Sequence, residues 1–298
     1  MTVLFPTALP TAGWATTRGS RRVAADAAAV RTSPSTPAFN APTSPNTPAL
    51  NAPTAAGSAA PGPTAPSPSA PSPTAFAAAV ADGIGDTEAA ASAARFAAAE
   101  AVDAAWRAGA SEAMEDVRRG LHLTTHPTNP LGIPLPRPTA ETSPLPSAAT
   151  LPQPPARDAG RDLTPRADTT LVVASGTTHH WSVAWVGDCR AYFLGDTDPA
   201  TLLTTDHTIG RYLRDRGVPA NPRLDLVVTT TARKGGHGVV HGSGPGRLVL
   251  LTNGVHRATD QATITHLART TTDPAEAARA LVALTQDDNA AAVVVDLR

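Results

Sequence analysis

Residues 75–86 read Ala-Phe-Ala-Ala-Ala-Val-Ala-Asp-Gly-Ile-Gly-Asp, an apolar run that stops at Asp82 and turns through Gly83 and Gly85. An uninterrupted apolar stretch of this length, closed by an acid and two glycines, predicts a buried strand ending in a turn. Directly after it, residues 87–119 predict one long helix, with Phe96, Ala99, Val102, Trp106, Ala110 and Val117 on one face at spacings of three and four. Arg118 and Arg119 lie near its negative end, and Gly120 predicts its stop. A strand, an acidic turn and a helix in succession hold one carboxylate at the edge of a sheet.

Further strands are predicted at TTLVVA (169–174), WSVAWVG (181–187), RAYFL (190–194), LVVTTT (226–231), RLVLLT (247–252) and the closing AAAVVVDL (290–297). Asp273, Pro274 and Glu276 stand at the N-cap, N1 and N3 positions of a second helix and form a capping box. Many strands without regular strand–helix alternation predict an α+β layered sandwich rather than a doubly wound parallel sheet. The glycine-rich stretch 235–246 lacks the Lys-Ser/Thr ending of a phosphate loop and predicts a flexible hairpin or flap connection.

Asp82 is one of several polar residues placed where strands meet turns. Asp188 follows WSVAWVG, Asn253 follows RLVLLT, and Asp288 and Asn289 precede the final strand. Taken one at a time, each reads as an Asx turn or a strand-end cap. Together, oxygen ligands converging on one sheet edge suit a hard cation such as Mg²⁺ or Mn²⁺.

Their order along the chain resembles the metal-dependent serine/threonine protein phosphatases of the 2C type, as found in bacteria. The residues that carry the resemblance are Arg21-Arg22-Val23-Ala24-Ala25-Asp26, ADGIGD (81–86), VGDCR (186–190), TDHT (205–208), LLTNGV (250–255) and DDNAAAVVV (287–295). The resemblance implies a four-layer α/β/β/α sandwich, with two packed antiparallel sheets flanked by helices. It also implies hydrolysis of phosphoserine and phosphothreonine in protein substrates, using a water activated at a binuclear Mg²⁺ or Mn²⁺ centre. In that pattern Asp82 bridges the two ions, Gly83 adds its carbonyl oxygen, Asp288 and Asn253 serve the second ion, and Asp188 serves a third, weaker one. Asp26 orders water at the ions, and Arg21 clamps the phosphate with its planar fork.

The chain departs from the family pattern where aspartate is usual and Asn253 stands. A neutral carboxamide is a poorer ligand for a hard cation, so weaker binding of the second ion is expected. Ala24 and Ala25 replace polar residues before Asp26, Asp86 stands where a glycine is usual, and Cys189 replaces a serine as a small buried residue. The alternative expectation is therefore a weak or inactive relative acting as a binding module.

Composition narrows the remaining classes. A formal net charge of −1 gives no basic field for nucleic acid or an anionic membrane. No apolar run is long enough to span a bilayer, and the first residues lack a basic segment followed by an apolar one, so a cytoplasmic location is expected. The single cysteine excludes an internal disulfide. Residues 32–74 hold 12 of the 30 prolines and residues 127–165 hold 11. Both read as flexible or polyproline-like insertions in a single domain spanning 1–298. The first contains a near-duplication, TPAFNAPT (36–43) and TPALNAPT (47–54), which replication slippage explains and which a proline-binding partner would also read. A wholly structural, proline-rich stalk does not account for the patterned remainder. The pairs His122/His126 and His237/His241 lack the glutamate of a zinc-protease helix and read as loop histidines.

Overall fold

The computed structural model describes residues 9–33, 74–123, 166–196 and 199–298. The proline-rich segments 32–74 and 127–165, apart from a few terminal residues, and His126 lie outside the described residues. In chain order the elements are β1 (Thr11–Thr17), β2 (Asp26–Thr32), β3 (Phe76–Gly83), α1 (Glu88–Ala108), α2 (Ala110–Leu123), β4 (Thr169–Gly176), β5 (His180–Val186), β6 (Arg190–Leu194) and β7 (Thr201–Leu202). There follow α3 (Ile209–Arg214), a 3₁₀ turn (Pro222–Leu226), β8 (Gly238–Ser243), β9 (Arg247–Leu251), α4 (Asn253–Ala258), α5 (Gln261–Thr270), α6 (Pro274–Val282) and β10 (Ala290–Asp296).

The strands form two antiparallel five-stranded sheets, ordered β1-β10-β9-β6-β7 and β2-β3-β4-β5-β8. Period-two alternation assigns each strand's side chains to two different layers. Along β3, Phe76, Ala78 and Val80 enter the core between the sheets, where Val293, Val295, Leu248 and Leu250 meet them. Ala77, Ala79 and Ala81 face the other way, against α1 and α2. The second sheet turns Val249, Leu251, Ala292 and Val294 outward to helices α4–α6. This is the α+β four-layer sandwich expected from the sequence.

Alanine sets the spacing on the helical side. Burial of a methylene is worth only about 0.8 kcal/mol, so alanines gain mainly by letting helix and sheet approach closely and make many dispersion contacts. The buried face of α1 is accordingly Ala90, Ala94, Ala97, Ala98, Ala101 and Ala105, with Val102. The expected single helix is two, because Gly109 adopts φ +104° between α1 and α2. Phe96 and Trp106 are only partly buried, and Gly120 is no stop: it sits inside α2 beneath the Phe96 ring.

Two other expectations are corrected. LVVTTT is not a strand: Leu226 and Val227 are exposed, and Val228 makes only an isolated bridge with Thr208. Its threonines are used instead in side-chain hydrogen bonds, Thr230 to His207 and Thr231 to Asp168. The glycine-rich stretch forms strand β8, paired with β5. Gly238 and Gly242 are needed there because the indoles of Trp185 and Trp181 cross them; a side-chain carbon at either position would fall within 2.3 Å of a ring atom.

Candidate metal centre

Strand pairing builds the site. Asp26, the first residue of β2, is the direct cross-strand partner of Asp82 near the end of β3. Both follow the alternation that points into the space between the sheets, so two carboxylates meet at one end of the sandwich. Thr252, at the end of β9, donates its hydroxyl to Asp26 Oδ2 at 2.5 Å, which joins the two sheets at this edge. Asn253, the next residue, opens α4 and donates Nδ2 to Asp82 Oδ2 at 2.6 Å and to Asp188 Oδ2 at 3.3 Å. A side-chain carbon at Gly254 would fall 1.8 Å from the Asn289 carbonyl oxygen, so only glycine lets α4 start against the turn that carries Asp288. Asp288 in turn accepts Arg21 Nε at 2.8 Å.

Each residue anticipated for the site is therefore at this edge. Asp26, Asp82, Asp188 and Asn253 are linked directly, and Asp288 joins through Arg21 and through its charge, which both Asp26 and Asp82 feel. Gly83 closes β3, its N–H donated to the Ala25 carbonyl at 3.1 Å. Asp86 accepts the Val23 N–H at 3.1 Å and so fastens the loop that carries Arg21. A cleft of about 390 Å³, lined by Gly254, Arg257, Ala258 and residues 284–288, opens beside Asp288. A larger cleft of about 740 Å³, lined in part by Trp106, His180 and Trp181, lies at the opposite end of the β3–β4 pair and shares no residue with this edge.

Electrostatics follow from burial. Burial, opposed by the hydrogen bond from Thr252, pushes the Asp26 carboxyl up to about 7. Burial and then the neighbouring charges of Asp26 and Asp188 hold Asp82 well above the usual carboxylate range. Burial also raises Asp188, although Arg257 pulls in the other direction. Burial lifts the Cys189 thiol, which packs 3.1 Å from Thr170 Oγ1.

Stability should therefore depend on pH when divalent ions are chelated. A carboxyl raised in the folded state favours folding fully below its unfolded pKa, near 3.8, and loses that contribution as pH rises through about 7. We expect a loss on the order of a few kcal/mol across that window. Thermal unfolding with chelator present should show it, and Asp26→Asn should flatten the slope; an equal slope in both proteins would refute the assignment.

The donor set suits a hard cation in kind, being built of oxygens. Asp26 Oδ1 and Asp188 Oδ1 are both buried and have no hydrogen-bond partner, the condition that an ion or its water would relieve. Among the described residues no three His, Cys, Asp or Glu side chains are gathered closely enough to hold a metal as they stand. As they stand, Asn253, Arg257 and Arg21 bond to Asp82, Asp188 and Asp288.

Sequence reasoning missed Thr252 and Arg257 as members of this edge. Arg257 Nη2 donates to Asp188 Oδ2 at 2.6 Å, and the preceding His256 donates Nε2–H to the Asp188 carbonyl at 2.8 Å. The helix that starts at Asn253 places residue 257 one turn on, and no helix is legible there in the sequence.

No protein-family model and no curated protein sequence matches the chain. Solved structures do. The catalytic domain of the serine/threonine phosphatase PstP, in complex with two manganese ions, is 17% identical, with 97% of this chain and 98% of that one covered and a TM-score of 0.58. The PPM Ser-Thr phosphatase MsPP from Mycobacterium smegmatis, in complex with cacodylate, is 20% identical over 97% and 98% of the two chains, with a TM-score of 0.59. Stp1, a serine/threonine phosphatase from Staphylococcus aureus, is 14% identical over 100% and 98%, with a TM-score of 0.63. The described residues thus have the fold of the bacterial PPM-type phosphatases. Among the described residues no helix is long and apolar enough to cross a membrane.

Proposed function

We propose that this chain, built on the fold of the PPM-type phosphatases, is a Mg²⁺- or Mn²⁺-dependent phosphatase acting on phosphoserine and phosphothreonine in a protein partner. The observation that carries the reading is the in-register carboxylate pair of buried Asp26 and part-buried Asp82, with one Asp26 oxygen unpartnered, at the edge where Arg21 and Asp288 meet.

Asp82, the Gly83 carbonyl and Asp288 would hold the ions, with Asn253 offering its amide oxygen after rotation. When bound, the ions lower the pKa of water and supply positive charge to a phosphoryl group. The chain's own residues do the rest. The Thr252 hydroxyl fixes Asp26 Oδ2, which leaves Oδ1 to accept a hydrogen bond from water and orient it. Arg21 is about half exposed and uses only Nε on Asp288, so its remaining N–H groups can grip a phosphate in a bidentate fork. The test is phosphate release from a phosphothreonine peptide with Mn²⁺ and with chelator; equal rates in the two would defeat the proposal.

A second reading is favoured by one contact. Asn253 turns a donor toward Asp82 where a cation ligand needs an acceptor, which suits a weak or inactive relative that binds phosphoproteins without turnover. Asn253→Asp tests that contact. Adding the missing charge should tighten Mn²⁺ binding on the order of tenfold, since ligand charge tunes cation affinity. Calorimetry that finds unchanged affinity would remove Asn253 from the ion site.

A further inference from the structure

The two sides of the carboxylate cluster differ in what faces them. Around Asp26 the donor to Oδ2 is the neutral hydroxyl of Thr252. Around Asp188 there are donors: Oδ2 receives both Arg257 Nη2 at 2.6 Å and Asn253 Nδ2 at 3.3 Å. We propose that Arg257 stands in place of a cation at Asp188, so that this carboxylate takes no metal ion in this chain. The proposal rests on the reading of this edge as a divalent-ion site and assigns its limit on the Asp188 side.

The pair is unlike a surface ion pair. The Asp188 side chain is only 2% exposed, and a buried carboxylate needs a fixed counter-charge. Arg257 is held from two directions, because the same Nη2 also donates to the Asp225 carbonyl at 3.2 Å. His256 on the same helix grips the Asp188 backbone. Arg257 is itself 34% exposed, so the difference lies in the carboxylate: Asp288, paired with Arg21, is 35% exposed, and water competes for that pair. A divalent ion entering beside Arg257 would meet a like charge at close range. Asp188 Oδ1 is buried and unpartnered, so the carboxylate keeps the capacity to take an ion once the guanidinium is gone.

The experiment is Mn²⁺ stoichiometry, by calorimetry and native mass spectrometry, of the wild type, Arg257→Ala, Arg257→Gln, Arg257→Lys and the double variant Arg257→Ala/Asp188→Asn. Both neutral variants should bind one more Mn²⁺ per chain than the wild type, Arg257→Lys should not, and the extra ion should be lost in the double variant. Arg257→Gln keeps a hydrogen-bonding side chain and carries the test if Arg257→Ala fails to fold. Stoichiometry in the neutral variants equal to the wild type, or an extra ion that persists without Asp188, would overturn the proposal. A wild type that binds no Mn²⁺ while the neutral variants gain one at Asp188 would defeat the phosphatase reading and leave this one standing.

Discussion

Replacing Asp82 by asparagine is expected to abolish Mn²⁺-stimulated phosphate release, lowering kcat/KM by more than about 100-fold. Loss of even an outer partner of a metal ligand costs roughly 10–100-fold in affinity or activity, and Asp82 lies at the centre of this edge. It faces Asp26 across the strand pair, accepts the Asn253 amide and feels the charges of Asp188 and Asp288. The substitution is close to isosteric, and burial already holds the native carboxyl toward its neutral form, so the fold should survive. An unchanged melting temperature in chelator together with lost activity is the expected pair of results. Equal rates for variant and wild type would mean that any turnover arises elsewhere.

The second large effect is on stability and falls far from the chemistry. Arg247, at the start of β9, has a side chain only 2% exposed. Its guanidinium donates to the carbonyls of Ala268, Thr271 and Thr272 and to Asp296 Oδ2, at 2.6–2.7 Å. Those carbonyls lie at and just beyond the end of α5, where the last turn of a helix leaves acceptors without intrahelical partners. Arg247→Ala would strand them in the interior and remove the partner of a largely buried carboxylate, a class of change that costs about 3–5 kcal/mol. For a domain of this size that corresponds to a drop of roughly ten degrees in Tm. Arg298→Ala removes the other, half-exposed partner of Asp296 and is the control, with an expected loss under about 1 kcal/mol. Similar losses in the two variants would show that Arg247 is not the clasp between α5 and the sheet.

The parts of the fold that sequence made legible are those whose side chains carry their own signal. AAAVVVDL, RLVLLT and RAYFL hold runs of branched or aromatic residues, and they are β10, β9 and β6. Strands β1 and β2, TAGWATT and DAAAVRT, are rich in alanine and threonine, with no run of that kind. They are strands because β10 and β3 pair with them, which no local window reports. LVVTTT misled for the converse reason: its composition suits a strand, but no neighbour pairs along it. Strand β8 was hidden because its glycines are filled by tryptophans from β5, more than fifty residues earlier in the chain.

At the site, Asp26, Asp82, Asp188, Asn253 and Asp288 were legible through their order and their places at strand ends. Their protein partners were not. Asp188 meets Arg257 across 69 residues, Asp26 meets Thr252 across 226, and neither pairing leaves a trace in local periodicity.

Titration of the wild-type chain with Mn²⁺, followed by calorimetry against Asp82→Asn, bears most directly on the claim that this edge is a divalent-ion centre. Saturable binding by the wild type that disappears in Asp82→Asn is the predicted result. Heats that match between the two proteins, or no binding by either, would contradict it.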